Sequence, residues 1–163
     1  MTNEDLYIQR DRLRYIKNTT SANLALLAIL LDVFFFVNIY KSDVGTYYYT
    51  ILIGASVVYN LLFMLATFLC EEGVKNYKKN YSYALIVLGI LQIVRIFIIP
   101  SRAHAATTII GGAEVAVMGN GQYIRLLVYL VVSAACLIAS AMINLKKCGE
   151  LEEHMKTLDK KIS

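Results

Sequence analysis

The chain has 163 residues, of which 58% are hydrophobic and 17% are charged. An ordinary soluble domain carries more charge and less apolar surface, so this composition excludes that class and predicts a membrane protein with room for one bundle. The net charge of +4 does not indicate nucleic-acid binding, because the basic residues flank the apolar segments instead of forming a domain.

Residues 1–19 form a basic segment that we expect to be an amphipathic helix in the cytoplasm. Thr2 and Asp5 have the spacing of a helix cap, and Leu6, Leu13 and Ile16 lie near one helical face. Such a helix would lie on the anionic leaflet, or extend the first membrane helix and dock a soluble partner.

Four apolar runs are each long enough to cross a bilayer, at about 20–40, 47–70, 81–99 and 123–145. They predict an all-α transmembrane domain over residues 20–145. Because two of the three connections are short, neighbouring helices should pack antiparallel as an up-down-up-down bundle.

Lysine and arginine orient the runs, since cytoplasmic flanks retain positive charge. Twelve of the 16 lie before the first run, between the second and third, or after the fourth; Lys41, Arg102 and Arg125 lie on the other side. We therefore predict a multi-pass protein of the cell membrane with both termini cytoplasmic. Asn18 and Asn80 begin glycosylation sequences, but both fall inside and should be unmodified.

The outer loop, residues 100–122, is longer than a bare connection requires and contains the pair Gly111-Gly112. Thr107 to Ile110 and Glu114 to Met118 flank this pair. The pattern favours a small hairpin over the bundle mouth, with a re-entrant loop as the alternative.

Small and polar residues at helical spacing mark the interior of a membrane bundle, because its outer face can be as apolar as its core. Each run carries such a stripe, and we expect the four stripes to meet, while part of Phe34–Phe36 faces lipid or a partner. The stripes are Ser21, Ala25, Ala28 and Asp32; Ser56, Asn60 and Thr67; Ala84, Gln92 and Arg95; and Ser133, Cys136, Ser140 and Asn144.

Asp32 and Arg95 have matching depths in two helices that run in the same direction. An ionised side chain near the bilayer centre costs about 2.5–3.5 kcal/mol, so we predict a buried ion pair. Gln92 would share the carboxylate, and Asn60 would lie deeper on a neighbouring helix. We favour a structural role for these four residues over a transport or proton-relay role.

The carboxyl-terminal tail, residues 146–163, places Leu151, Met155, Leu158 and Ile162 on one helical face. So short a helix is not stable alone, and its stripe needs the membrane, the amino-terminal helix or another protein. We favour another protein, because the acidic residues around Glu152 would be repelled by an anionic leaflet.

No catalytic, cofactor-binding or metal-binding residues are predicted, and no cofactor. His104 and His154 lie on opposite sides of the membrane, and His104 with Glu114 supplies at most two metal ligands. The three cysteines, Cys70, Cys136 and Cys148, have no metal spacing and are interpreted as reduced packing residues.

The sequence therefore favours a non-enzymatic subunit or scaffold of a membrane complex. It would contact the lipid bilayer and a protein partner or further copies of itself, through its transmembrane faces and cytoplasmic tails, and no nucleic acid. The alternative is a small oligomeric transporter or channel with a polar path near Asp32 and Arg95, and an intramembrane enzyme is the third hypothesis.

Overall fold

The computed structural model describes residues 2–39, 47–110, 112–116 and 118–162. The predicted end of the first run at residue 40, and Lys41, lie outside this part. In chain order the elements are α1 (Asn3–Tyr15), α2 (Thr19–Ile39), α3 (Tyr47–Lys75), α4 (Lys79–Ile98), α5 (Pro100–Ala105), β1 (Thr107–Ile110), β2 (Ala113–Ala116) and α6 (Asn120–Ile162).

Within the described ranges, four helices are long and apolar enough to cross a membrane: α2, α3, α4 and α6. Both α2 and α4 pack along α6, and α3 packs against α2 and, less extensively, against α4. The four helices therefore form a closed ring, in which α6 makes the closest contacts and α3 the loosest.

The four predicted stripes meet inside this ring. Every stripe residue is buried except Ala84 and Cys136, which are half-buried. Phe35 is also buried, whereas Phe34 is 45% exposed. The outward surface carries large apolar side chains, which suits a lipid-facing exterior. The burial of these residues confirms that the four stripes face the interior of the bundle.

The close approach of α4 to α6 depends on Gly89. A Cβ atom at this position would lie 2.9 Å from Cγ1 of Ile138 and 3.4 Å from the carbonyl oxygen of Ala134. Glycine thus allows the backbones of α4 and α6 to approach each other, as small residues do in membrane helix pairs.

The helix that contains the fourth apolar run does not end near residue 145, so the prediction of a separate short tail helix is wrong. α6 is continuous over 43 residues, which corresponds to a length of about 64 Å. Gly149 does not interrupt it, because one glycine in a helix costs only about 1 kcal/mol. Cys148 also contacts Tyr77 in the α3–α4 connection, and Glu152 contacts Lys79 at the start of α4, so the extension is tied to the bundle.

The amino-terminal helix α1 lies alongside this extension. It begins with the expected cap, in which the Thr2 side chain and Asp5 bond reciprocally; hydrogen bonds from Thr2 lower the pKa of the Asp5 carboxyl. It does not continue into α2, since Ile16 has extended backbone. Arg10 instead pairs with Asp159 of α6 at 2.9 Å. We call α1 together with residues 146–162 the stalk.

The outer loop folds as the expected hairpin, with β1 and β2 antiparallel and Thr107 opposite Ala116. Gly112 at its turn has φ +85°, a conformation that favours glycine. The second strand ends at Ala116, earlier than the predicted Met118. Met118 is instead buried, and its carbonyl oxygen lies 3.3 Å from His104 Nδ1.

Replacing Gly89 by alanine should lower the free energy of unfolding by about 1–3 kcal/mol, because the added methyl group overpacks the α4–α6 contact. Gly149→Ala is the matched control: nothing lies within 4 Å of the new Cβ, and a continuous helix should gain about 1 kcal/mol. Circular dichroism during denaturation in mixed micelles measures both. Destabilisation by Gly149→Ala would contradict a continuous α6.

Candidate functional site

The predicted ion pair lies in the interior of the bundle, nearer to the end of the bundle that is opposite the stalk. Asp32 Oδ1 accepts hydrogen bonds from Arg95 Nη1 at 2.9 Å and from Gln92 Nε2 at 3.0 Å. The side chains of Asp32 and Arg95 are 0% and 3% exposed. Gln92 Nε2 also lies 3.2 Å from Ser133 Oγ, which donates to the carbonyl oxygen of Ala28 at 3.2 Å. One carboxylate thus organises a hydrogen-bond network across α2, α4 and α6.

Two aromatic rings contact the Arg95 guanidinium. Its central carbon lies 4.1 Å from the ring centroid of Phe35 and 5.1 Å from that of Tyr59. The electron-rich faces of aromatic rings attract cations, most strongly where water is excluded. Phe35 belongs to α2 and Tyr59 to α3, so all four helices of the ring contribute to the surroundings of the ion pair.

Hydrogen bonds join three of the four residues predicted to form the buried cluster, Asp32, Gln92 and Arg95. Asn60 is fully buried on α3, yet neither amide atom of its side chain bonds to a residue in the described part of the chain. The same holds for Asp32 Oδ2 and Gln92 Oε1. Unpaired polar atoms are costly in an apolar interior, so these atoms mark where water or a polar group would be held.

A second buried network lies at the end of the bundle next to the stalk, and sequence reasoning missed it. Asn18 Nδ2 donates to Asn144 Oδ1 and to Ser21 Oγ, each at 2.9 Å, and Asn144 Nδ2 donates to Ser82 Oγ at 2.8 Å. Lys147 Nζ donates to Asn18 Oδ1 at 3.1 Å.

Asn18 was interpreted only as the start of a glycosylation sequence, although its spacing of three residues from Ser21 places it at the end of the first stripe. It is wholly buried. The network thus fixes the relative positions of α2, α4 and α6, in the same way as the ion pair does deeper in the bundle.

The stripe predicted to bind a partner, Leu151, Met155, Leu158 and Ile162, lies on the stalk. Leu158 is buried and the other three are half-buried. Since Leu6 on α1 is buried as well, and α1 packs against α6, the amino-terminal helix contributes to the cover of this stripe. It is one of the three covers that the sequence left open, and a protein partner for the half-buried residues stays a prediction.

A surface ion pair joins the stalk to the bundle. Lys79 Nζ lies 2.7 Å from a carboxylate oxygen of Glu152. This hydrogen bond lowers the pKa of Glu152 and raises the pKa of Lys79. Cys148 Sγ donates to the carbonyl oxygen of Tyr77 at 3.1 Å, and Lys17 bonds Asn76.

Comparison of the chain with protein-family models, with curated proteins and with solved structures finds no match. The functional argument therefore depends on the geometry of the site itself. His104, considered above with Glu114, stacks on Tyr123 at 4.5 Å between ring centroids. Among the described residues, no group of three His, Cys, Asp or Glu side chains is placed to hold a metal ion.

Asp32→Asn and Arg95→Gln should each lower the free energy of unfolding by about 3–5 kcal/mol, because each leaves a buried charge without its partner. The double variant should be more stable than either single variant, since it leaves no uncompensated charge. Denaturation in mixed micelles measures all three.

Asp159→Asn is the matched control, because its ion pair with Arg10 is half-exposed and worth about 0–1 kcal/mol. Additive losses in the double variant would show that Asp32 and Arg95 do not act as a pair.

Proposed function

We propose that this chain is a non-enzymatic, multi-pass subunit or scaffold of a complex in the cell membrane, with both termini in the cytoplasm. Four apolar helices and the concentration of basic residues near the stalk support this arrangement. The polar groups of the ion pair bond to one another and join helices, as expected of residues that hold a bundle together.

The length of α6 is the observation that best supports the proposal. At about 64 Å, it is roughly twice as long as the hydrocarbon core of a bilayer is thick. Leu158 lies 14 residues beyond Asn144, or about 20 Å along the axis. Residues 146–162, supported by α1, therefore project into the aqueous phase as a helical pair.

The exposed face of α1 is the surface that we assign to the partner. Tyr7, Ile8 and Ile16 are about half-exposed and Tyr15 is 81% exposed, although much of α1 lies beyond the reach of the lipid. Apolar residues grouped on a surface in water are typical of an interaction site. Arg12 and Asp11 lie among these side chains, and Asp11 pairs with Arg14 at 3.8 Å, so the complement that we propose is a protein surface with apolar residues and a rim that carries both charges.

The variant Ile8→Ser/Tyr15→Ser should lose the protein that co-purifies with the wild-type chain in mild detergent, while its unfolding curve stays unchanged. Both side chains are exposed, so their truncation removes partner contacts and leaves the bundle intact. Intact-complex mass spectrometry of material purified from the native membrane measures the stoichiometry.

Lys146→Ser, at another exposed stalk position, is the control and should retain the partner. Undiminished partner binding by the double variant would rule out α1 as the docking face. A wild-type chain that purifies without any other protein would contradict the subunit proposal itself.

A small transporter or channel is the second candidate, favoured by the unpaired polar atoms of Asp32, Asn60 and Gln92 in the described structure. A continuous polar path would make residue 60 accessible to water. In a background with alanine at the three cysteine positions, reconstituted in vesicles, we expect Asn60→Cys to resist a hydrophilic thiol reagent and Glu153→Cys to react. Reaction at residue 60 would favour transport.

A further inference from the structure

A cleft of about 210 Å³ lies between α3 and α4, beside the buried ion pair. It forms where the ring of helices packs most loosely. We call it the α3–α4 cleft; α3 contributes Ala55, Ser56 and Tyr59 to its wall, and α4 contributes Leu91, Val94 and Arg95.

The rim of this cleft is apolar and faces outward. Leu91, Val94 and Ile98 are 40%, 44% and 48% exposed, on the side that meets the bilayer if the bundle spans it. Apolar cavities of this order of size, about 150 Å³, hold apolar molecules in preference to water. The rim is therefore suited to a hydrocarbon chain that enters sideways from the membrane.

The inner wall of the cleft includes three polar side chains, Ser56, Tyr59 and Arg95, but it carries no net charge. The charge of Arg95 is matched by Asp32 at 2.9 Å, so an anionic group gains little there. Ser56 is 5% exposed, and its hydroxyl has no hydrogen-bond partner among the residues that the structure describes. A buried hydroxyl without a partner favours a ligand that offers an uncharged acceptor, such as a carbonyl oxygen.

The depth of the cleft in the proposed membrane bundle matches the depth at which phospholipids carry an uncharged acceptor, the ester carbonyl. Arg95 lies three residues before the end of α4 at Ile98, or about 5 Å along the axis. This end of α4 lies close to the boundary of the hydrocarbon core. The ester carbonyls of phospholipids lie at the same boundary, directly attached to acyl chains.

We propose that the α3–α4 cleft binds the acyl-ester region of one phospholipid. The ester carbonyl accepts a hydrogen bond from Ser56 Oγ beside Arg95, and the first part of the acyl chain lies against Leu91, Val94 and Ile98. This site is independent of the partner assigned to the stalk, but it rests on the proposed insertion of the bundle in a membrane.

The test uses the full chain in phosphatidylcholine vesicles that contain a tracer lipid with a diazirine near the head of its chain, linked to glycerol by either an ester or an ether. After illumination, mass spectrometry quantifies labelled peptides of α3 and α4. We expect about threefold to tenfold more labelling at the cleft from the ester tracer, the range set by one neutral hydrogen bond.

Ser56→Ala should abolish this preference without disturbing the fold, because the hydroxyl that it removes makes no bond within the described protein. Equal labelling by the two tracers in the wild-type chain, or an unchanged preference in Ser56→Ala, would overturn the proposal.

Ala55→Trp provides a second test, because a large side chain there fills the cleft. It should lower labelling by either tracer about tenfold, whereas Leu61→Trp, at an exposed position of α3 outside the cleft, should not. Unchanged labelling in Ala55→Trp would place the lipid elsewhere. Alkaline extraction tests insertion separately: release of the protein from the vesicles would overturn both this site and the membrane function.

Discussion

The pairing of Asp32 with Arg95 is the interaction on which the rest of the bundle depends. Both side chains are buried, so water does not compensate either charge, and each charge is compensated by its partner inside the protein. Only one rotation and one depth of α2 and α4 bring these two groups within 2.9 Å of each other. Gln92, Ser133 and the aromatic rings then follow from that geometry, since each surrounds the same two charges.

Much of this interior could be predicted from the sequence, because polar residues in an apolar helix usually lie on the face that packs against other helices. Helical spacing alone identified the buried faces of all four helices and the ion pair. Asn60 shows the limit of the method, since its burial followed from its spacing, whereas the spacing could not show whether its amide group would find a hydrogen-bond partner. Hydrogen bonding between helices depends on side-chain packing, which leaves no periodic signal.

The stalk could not be predicted for a different reason. Local signals at residues 145–150, two lysines followed by a cysteine and a glycine, resemble a helix end. Tertiary contacts outweigh them, since Cys148 bonds to Tyr77 in the connection between α3 and α4, and Glu152 bonds to Lys79 at the start of α4. Likewise, the sequence showed that the stripe around Leu158 needed a cover. It could not show that α1, far away along the chain, contributes to that cover.

The contact between Arg10 and Asp159 also has a consequence for the order of events during synthesis. The two residues are separated by 149 positions, so α1 leaves the ribosome long before the segment that covers it. Meanwhile Leu6 and the rest of its apolar face remain uncovered, a state in which chains associate incorrectly or recruit chaperones. The stalk therefore forms only after residues 146–162 have been made, and a nascent chain that stops after α4 lacks the segment against which its amino-terminal helix packs.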